Sequence, residues 1–162
     1  MKLTELINHL EKWAPPALQE SYDNSGLIVG NRDMEIKGVL CCLDSTPEVV
    51  QEALAQGANV IVAHHPIVFS GMKRFNGSNY IQRTVELAIK HDVAIYAIHT
   101  NLDHVLTGVN GRIAEVLGLQ QPHILRPKQN TMCQIVVYSP REHTQKVSEA
   151  MFQAGAGHVG QY

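Results

Sequence analysis

The segment VLCCLDSTPEVVQEALAQGANVIVAHHP, residues 39–66, decides the fold. Val39 to Leu43 is a short β-like apolar run, and Pro47 to Gln56 has helical spacing with its proline suited to the first turn. Val60 to Ala63 is a second buried run. Together they read as a βαβ unit. Upstream, Leu3, Leu6, Ile7, Leu10 and Trp13 recur at helical spacing behind Thr4, a candidate N-cap, until Pro15-Pro16 stops the pattern. Ser21 to Gly30 is turn-rich and leads into Leu27-Ile28-Val29, a loop entering a strand. Downstream, helical spacing returns over Tyr80 to His91, a strand follows over Val93 to Ile98, and a helix runs from about Val109 to Leu117. Strands alternating with helices predict an α/β fold with a largely parallel sheet flanked by helices on both faces.

The periodicity breaks over Gln120 to Asn130, where Pro122 and Pro127 interrupt it. This places a first α/β domain over residues 1–126 and a second unit over 127–162. The second unit reads as a strand at Ile135 to Tyr138, a helix at Glu142 to Ala154 and a glycine-rich end. One strand and one helix cannot bury a core of their own, so this unit either docks on the first domain or opens a larger one. Its glycines lack the Lys-Ser/Thr ending of a phosphate loop.

With 162 residues, 44% of them hydrophobic, the chain is of ordinary globular composition. A formal charge of −2 without a basic run argues against nucleic acid as a direct partner. No stretch has the length of a membrane span or a signal core. Three cysteines make a disulfide framework improbable, and Cys41 and Cys42 read as buried small hydrophobes within a strand. These features together point to the cytoplasm.

In a parallel α/β sheet, ligands bind beyond the carboxyl ends of the strands. Three places qualify here: Asp44-Ser45-Thr46, His64-His65-Pro66 and His99-Thr100-Asn101-Leu102-Asp103. The first reads as helix capping ahead of Pro47. The other two bring imidazoles and a carboxylate to one edge, a donor set suited to zinc, manganese or iron in an open site. Adjacent residues of an extended chain point to opposite sides, so His64 and His65 serve two ions or converge through a bend. Pro66 holds His65 away from helical backbone. His9, His91, His123, His143 and His158 lack such placement, and His104 has only its neighbour Asp103 to recommend it.

Three motifs, Tyr22-Asp23-Asn24-Ser25-Gly26-Leu27, Ala63-His64-His65-Pro66 and His99-Thr100-Asn101-Leu102-Asp103, resemble the Ngg-interacting-factor-three-like family. Its bacterial members are often labelled GTP cyclohydrolase I type 2 homologs. The resemblance extends over the chain as the N-terminal part of a long-form member, with the last residues matching the start of an inserted α/β domain. It implies His64, His65 and Asp103 as metal ligands around two divalent ions per complete site, with His99 as an auxiliary catalytic residue. One ion is expected in this chain alone, because the family's remaining histidine and glutamate ligands have no counterpart here. A ring-shaped homohexamer is implied as well. The corresponding function is metal-dependent hydrolysis of a small molecule, by family analogy a nucleotide. The alternatives are a non-enzymatic metal-binding or regulatory protein, or a truncated inactive remnant.

Overall fold

The computed structural model describes residues 1–126 and 134–157. The boundary at residue 127, Cys133 and His158 lie outside them. The chain divides into two compact units, Met1–Gln129 and Asn130–Tyr162.

In the first unit, helix α1 spans Leu3–Trp13, strand β1 Gly26–Val29 and strand β2 Val39–Cys42. Helix α2 (Pro47–Ala55), strand β3 (Val60–Ala63), helix α3 (Tyr80–Lys90) and strand β4 (Ala94–Ala97) follow. The short helix α4 (Thr100–Asp103) and helix α5 (Val109–Val116) complete the unit. The four strands form one sheet in the order β1-β4-β3-β2. β2, β3 and β4 are parallel, as the βαβ reading requires, and β1 is an antiparallel edge strand on β4. Thr46 caps α2 by accepting from the Val49 N–H at 3.3 Å, and Asn79 caps α3 in the same way through Gln82. The expected cap at Thr4 is displaced. The N-cap position falls two residues earlier, at Lys2, the Thr4 hydroxyl donates to the Arg32 carbonyl at 2.9 Å, and Glu5 accepts from the Lys2 N–H at 3.2 Å.

The strand pleat sorts the core into two layers. Ile61, Ala63 and Ile95 face α2 and α3, where Val50, Ala53, Val85 and Ala88 cover them. Val60, Ala94, Tyr96 and Ile98 face α1, packing under Leu3, Ile7 and Leu10. Cover on this second layer stops short of β2. A helix about 10 Å wide spans about two strands at their spacing of about 4.8 Å, which is enough for β4 and β3 but not for the edge. Leu40 and Cys42 therefore pack inward on the other layer, while Val39, Cys41 and Leu43 are exposed. The expectation that Cys41 is buried fails for that reason.

The second unit contains a 3-10 turn at Arg141–His143 and helix α6 at Thr144–Gln153. The strand expected at Ile135 to Tyr138 is not formed, and these residues stand at least half exposed. An apolar run becomes a strand only beside a partner for its backbone groups, and none faces it among the described residues. A separate inserted α/β domain is accordingly not confirmed among the described residues of this unit.

Gly30 sits at φ +112°, and a Cβ there would lie 2.7 Å from the Ala94 Cβ, whereas Gly57 at φ +73° has open space around it. Gly30→Ala should therefore lower stability by about 2–4 kcal/mol, combining backbone strain with overpacking, and Gly57→Ala by about 1–2 kcal/mol, in urea unfolding. Burial pushes the Tyr96 phenol up to about 12 from 10.0, with Glu11 adding to the rise and Arg32 opposing it. The folded state then keeps a proton that the unfolded chain releases. Stability should fall as pH rises from about 10 to about 12, and Tyr96→Phe should flatten that slope in pH-dependent unfolding.

Candidate metal centre

Parallel pairing of β3 with β4 in the register Ala63↔Ala97 sets the site. Residues just past the two strand ends must come together, and these are His64, His65 and His99. The ladder continues beyond the strands: the His64 N–H donates to the Cys42 carbonyl at 3.0 Å, His65 to Leu43 at 2.9 Å and Ile98 to Ala63 at 2.9 Å. The chain bends at His64 and His65, so the two rings converge with centroids 5.0 Å apart. The His99 ring lies 5.2 Å from His64 and 5.4 Å from His65. One potential ligand atom from each of the three lies within 4.8 Å of the others, a grouping able to hold one metal ion.

The protonation pattern follows from the partners. His64 Nδ1 meets the Ile98 carbonyl at 3.0 Å, His65 Nδ1 meets Asp44 Oδ1 at 2.8 Å, and His99 Nδ1 meets Asp23 Oδ1 at 2.8 Å. A carbonyl and an ionised carboxylate can only accept, so each neutral imidazole carries its proton on Nδ1 and keeps its lone pair on Nε2. This is how metal-ligating histidines are oriented by their surroundings.

Asp23 anchors the arrangement. Its side chain is fully shielded and takes hydrogen bonds from the Asn24 and Thr100 N–H groups, the Ser25 and Thr100 hydroxyls and His99 Nδ1. Burial alone would raise its pKa, but the hydrogen bonds from Thr100, His99, Ser25 and Asn24 outweigh that and hold it well below the usual carboxylate range. Asn101 adds a second staple: its side chain accepts from the His99 N–H at 3.0 Å and donates to the Ala14 carbonyl at 2.7 Å.

Among the residues expected at the site, His64, His65 and His99 form the compact group. Asp103, at the end of α4, places Oδ1 3.8 Å from His64 Nε2. His104 turns away, with Nδ1 bonded to the Leu18 carbonyl at 2.9 Å and Nε2 3.3 Å from Glu20. By sequence, Asp44 stands at a qualifying strand end in a segment assigned to helix capping, and Asp23 is included only within a family motif, so neither stands among the expected site residues. For Asp44 the signal was its position just past β2, obscured by the adjacent cap, which Thr46 alone provides. For Asp23 it was the Asp-Asn-Ser-Gly turn ahead of β1. An antiparallel edge strand begins where its neighbour ends, and Gly26↔Ala97 brings that turn to His99.

A family model described as Duf34/NIF3 (NGG1p interacting factor 3) matches residues 1–161. The chain belongs to this family. It is 41% identical over 158 residues to a GTP cyclohydrolase 1 type 2 homolog of Halalkalibacterium halodurans, covering 97% of this chain and 42% of that protein. The Bacillus subtilis homolog of the same description is 36% identical, covering 98% and 43%. The chain thus spans less than half the length of these relatives. Among solved structures, a Bacillus cereus protein related to NIF3 superposes with a TM-score of 0.81 at 38% identity, covering 100% of this chain and 45% of that one. Reduced HcgD from Methanocaldococcus jannaschii does so with a TM-score of 0.70 at 35% identity, covering 76% and 49%. No helix among the described residues is long and apolar enough to cross a membrane.

Replacing Asp23 by Asn leaves one acceptor oxygen for the same set of donors. Asp23→Asn should cost about 2–4 kcal/mol in urea unfolding at pH 7, since hydrogen bonds to a shielded charge are lost. Asp44, at 60% side-chain exposure, should cost under about 1 kcal/mol on the same change.

Proposed function

We propose that this chain contributes a divalent-metal centre for hydrolysis of a small molecule, with His64, His65 and His99 holding one ion through Nε2. The observation that carries the reading is the convergence of three imidazoles whose Nδ1 atoms are all engaged by acceptors. Nitrogen donors with a nearby carboxylate and no thiolate among them suit zinc, manganese or iron in an open site. An ion bound there supplies Lewis-acid activation of water and of a carbonyl or phosphoryl oxygen.

The protein's own groups divide the remaining work. The carbonyl of Ile98 and the carboxylates of Asp44 and Asp23 fix the three rings, so that the ligand atoms are oriented before anything binds. Asp103 is the anionic oxygen beside His64. With a single ion on the histidines, its Oδ1 is placed to accept the proton given up by the attacking water. In a dinuclear centre it is instead the ligand for a second ion, with further ligands from elsewhere in the whole protein. On this reading the trio favours a ligand role for His99 over the auxiliary catalytic one. A nucleotide is the substrate class suggested by the relatives described as GTP cyclohydrolase 1 type 2 homologs. The family likeness further suggests a cytoplasmic homohexamer, in which the residues after about 127 begin an inserted domain.

His64→Ala, His65→Ala and His99→Ala should each weaken zinc binding by at least about tenfold, while His123→Ala, on an exposed segment, leaves it unchanged. Calorimetric titration with metal analysis checks this, and equal retention in all four variants would sink the assignment. Asp103→Asn should keep the first ion within about threefold while lowering GTP hydrolysis by about 100-fold, the scale of a lost general base. Zinc uptake without any turnover would leave a metal-binding protein and remove the hydrolase.

A further inference from the structure

Tyr22 and Phe69 are large aromatic residues, 64% and 50% exposed, yet their ring centroids lie 6.4 Å apart with the planes tilted by 47°, so that a flat ring stacked on one meets the other at an angle. Phe69 in turn meets His99 edge-on at 6.5 Å with an interplanar angle of 81°. An aromatic surface thus runs without interruption into the histidine trio.

Both rings stand on pinned backbone. Tyr22 directly precedes Asp23, whose carboxylate is bound to His99 and Thr100. Phe69 directly follows Val68, whose carbonyl accepts from the Asn24 side chain at 2.6 Å. The turn that orients His99 therefore also sets the position of the two rings relative to it. Their exposure carries a hydrophobic cost that folding does not relieve. Aromatic faces arranged in this way favour a flat partner over a puckered one of equal area, through stacked or edge-to-face contact.

We infer that Tyr22 and Phe69 form a stacking platform for the planar ring of a ligand whose polar group sits at the His64, His65 and His99 centre. Heteroaromatic and aryl ligands are the chemical class it selects. This rests on the metal reading of the trio and adds the part of the site that tells one substrate from another. The platform reads ring flatness, so it accepts many planar rings.

The experiment loads the chain with one equivalent of zinc and measures binding of three hydroxamates by calorimetry. Benzohydroxamate, cyclohexanecarbohydroxamate and acetohydroxamate share one metal-binding group and differ in carrying a flat ring, a puckered ring or none. In the parent chain benzohydroxamate should bind tightest. Phe69→Leu should weaken it by about five- to tenfold, the size of an aromatic pair interaction, while changing the other two by less than about twofold. Adding Tyr22→Leu should deepen the loss for benzohydroxamate alone. Because both side chains are exposed, each variant should unfold within a few degrees of the parent, and zinc affinity should hold in both. Equal weakening of all three hydroxamates, or no weakening, would overturn the platform while leaving the metal centre standing. Failure of the parent chain to take up zinc would overturn the metal reading, and the platform with it.

Discussion

Asp23 is the constraint on which the centre depends. A carboxylate removed from water is costly unless its oxygens are filled, and here five donors fill them. Those donors come from two distant stretches of chain, the turn before β1 and the residues after β4. Satisfying one charge therefore closes the sheet edge, orients His99 and fixes the start of α4. Thr100 extends the network, since its hydroxyl donates to Asp23 while accepting from the Glu20 N–H at 2.9 Å. Disturbing this carboxylate acts on the fold and on the site together.

The division of labour between sheet and loops explains how the rest is held. Parallel register sets the depth at which His64, His65 and His99 emerge, and backbone bonds past Ala63 and Ala97 keep those segments from fraying. Side chains from the flanking strands then aim the rings, Asp44 beyond β2 and Asp23 before β1. Each strand of the sheet thus contributes a group at the same edge, although the strands are dispersed through about the first hundred residues of the sequence.

Much of this was legible beforehand, for a physical reason. The rule that ligands gather at the carboxyl ends of parallel strands needs only strand boundaries, and the apolar runs at Val60 to Ala63 and Val93 to Ile98 mark those clearly. Long-range facts were less visible. That β1 runs antiparallel is settled by pairing across the sheet, so the arrival of Asp23 beside His99 could not be read locally. The exposure of Cys41 depends on the width of one helix against the spacing of strands. The run at Ile135 to Tyr138 has strand composition, but composition supplies no partner for its backbone groups. Local pattern foretold the elements and the strand-end histidines, whereas the groups that orient them emerge only from tertiary contact.

The three Nδ1 bonds have a bearing on the thermodynamics of the site. In an unfolded chain each imidazole samples several rotamers and both tautomers, and gathering three of them around an ion would carry that entropy loss. Folding has already selected one orientation and one tautomer for His64, His65 and His99 through the Ile98 carbonyl and the Asp44 and Asp23 carboxylates. Little ordering remains for the binding step itself. By linkage, anything that occupies the site in the native state and not in the unfolded one must stabilise the fold, by about 2.7 kcal/mol at a hundredfold excess over its dissociation constant. Occupancy of the edge and integrity of the sheet are thereby coupled, so loss of the occupant would be felt first as a softening of the loops that meet at Asp23.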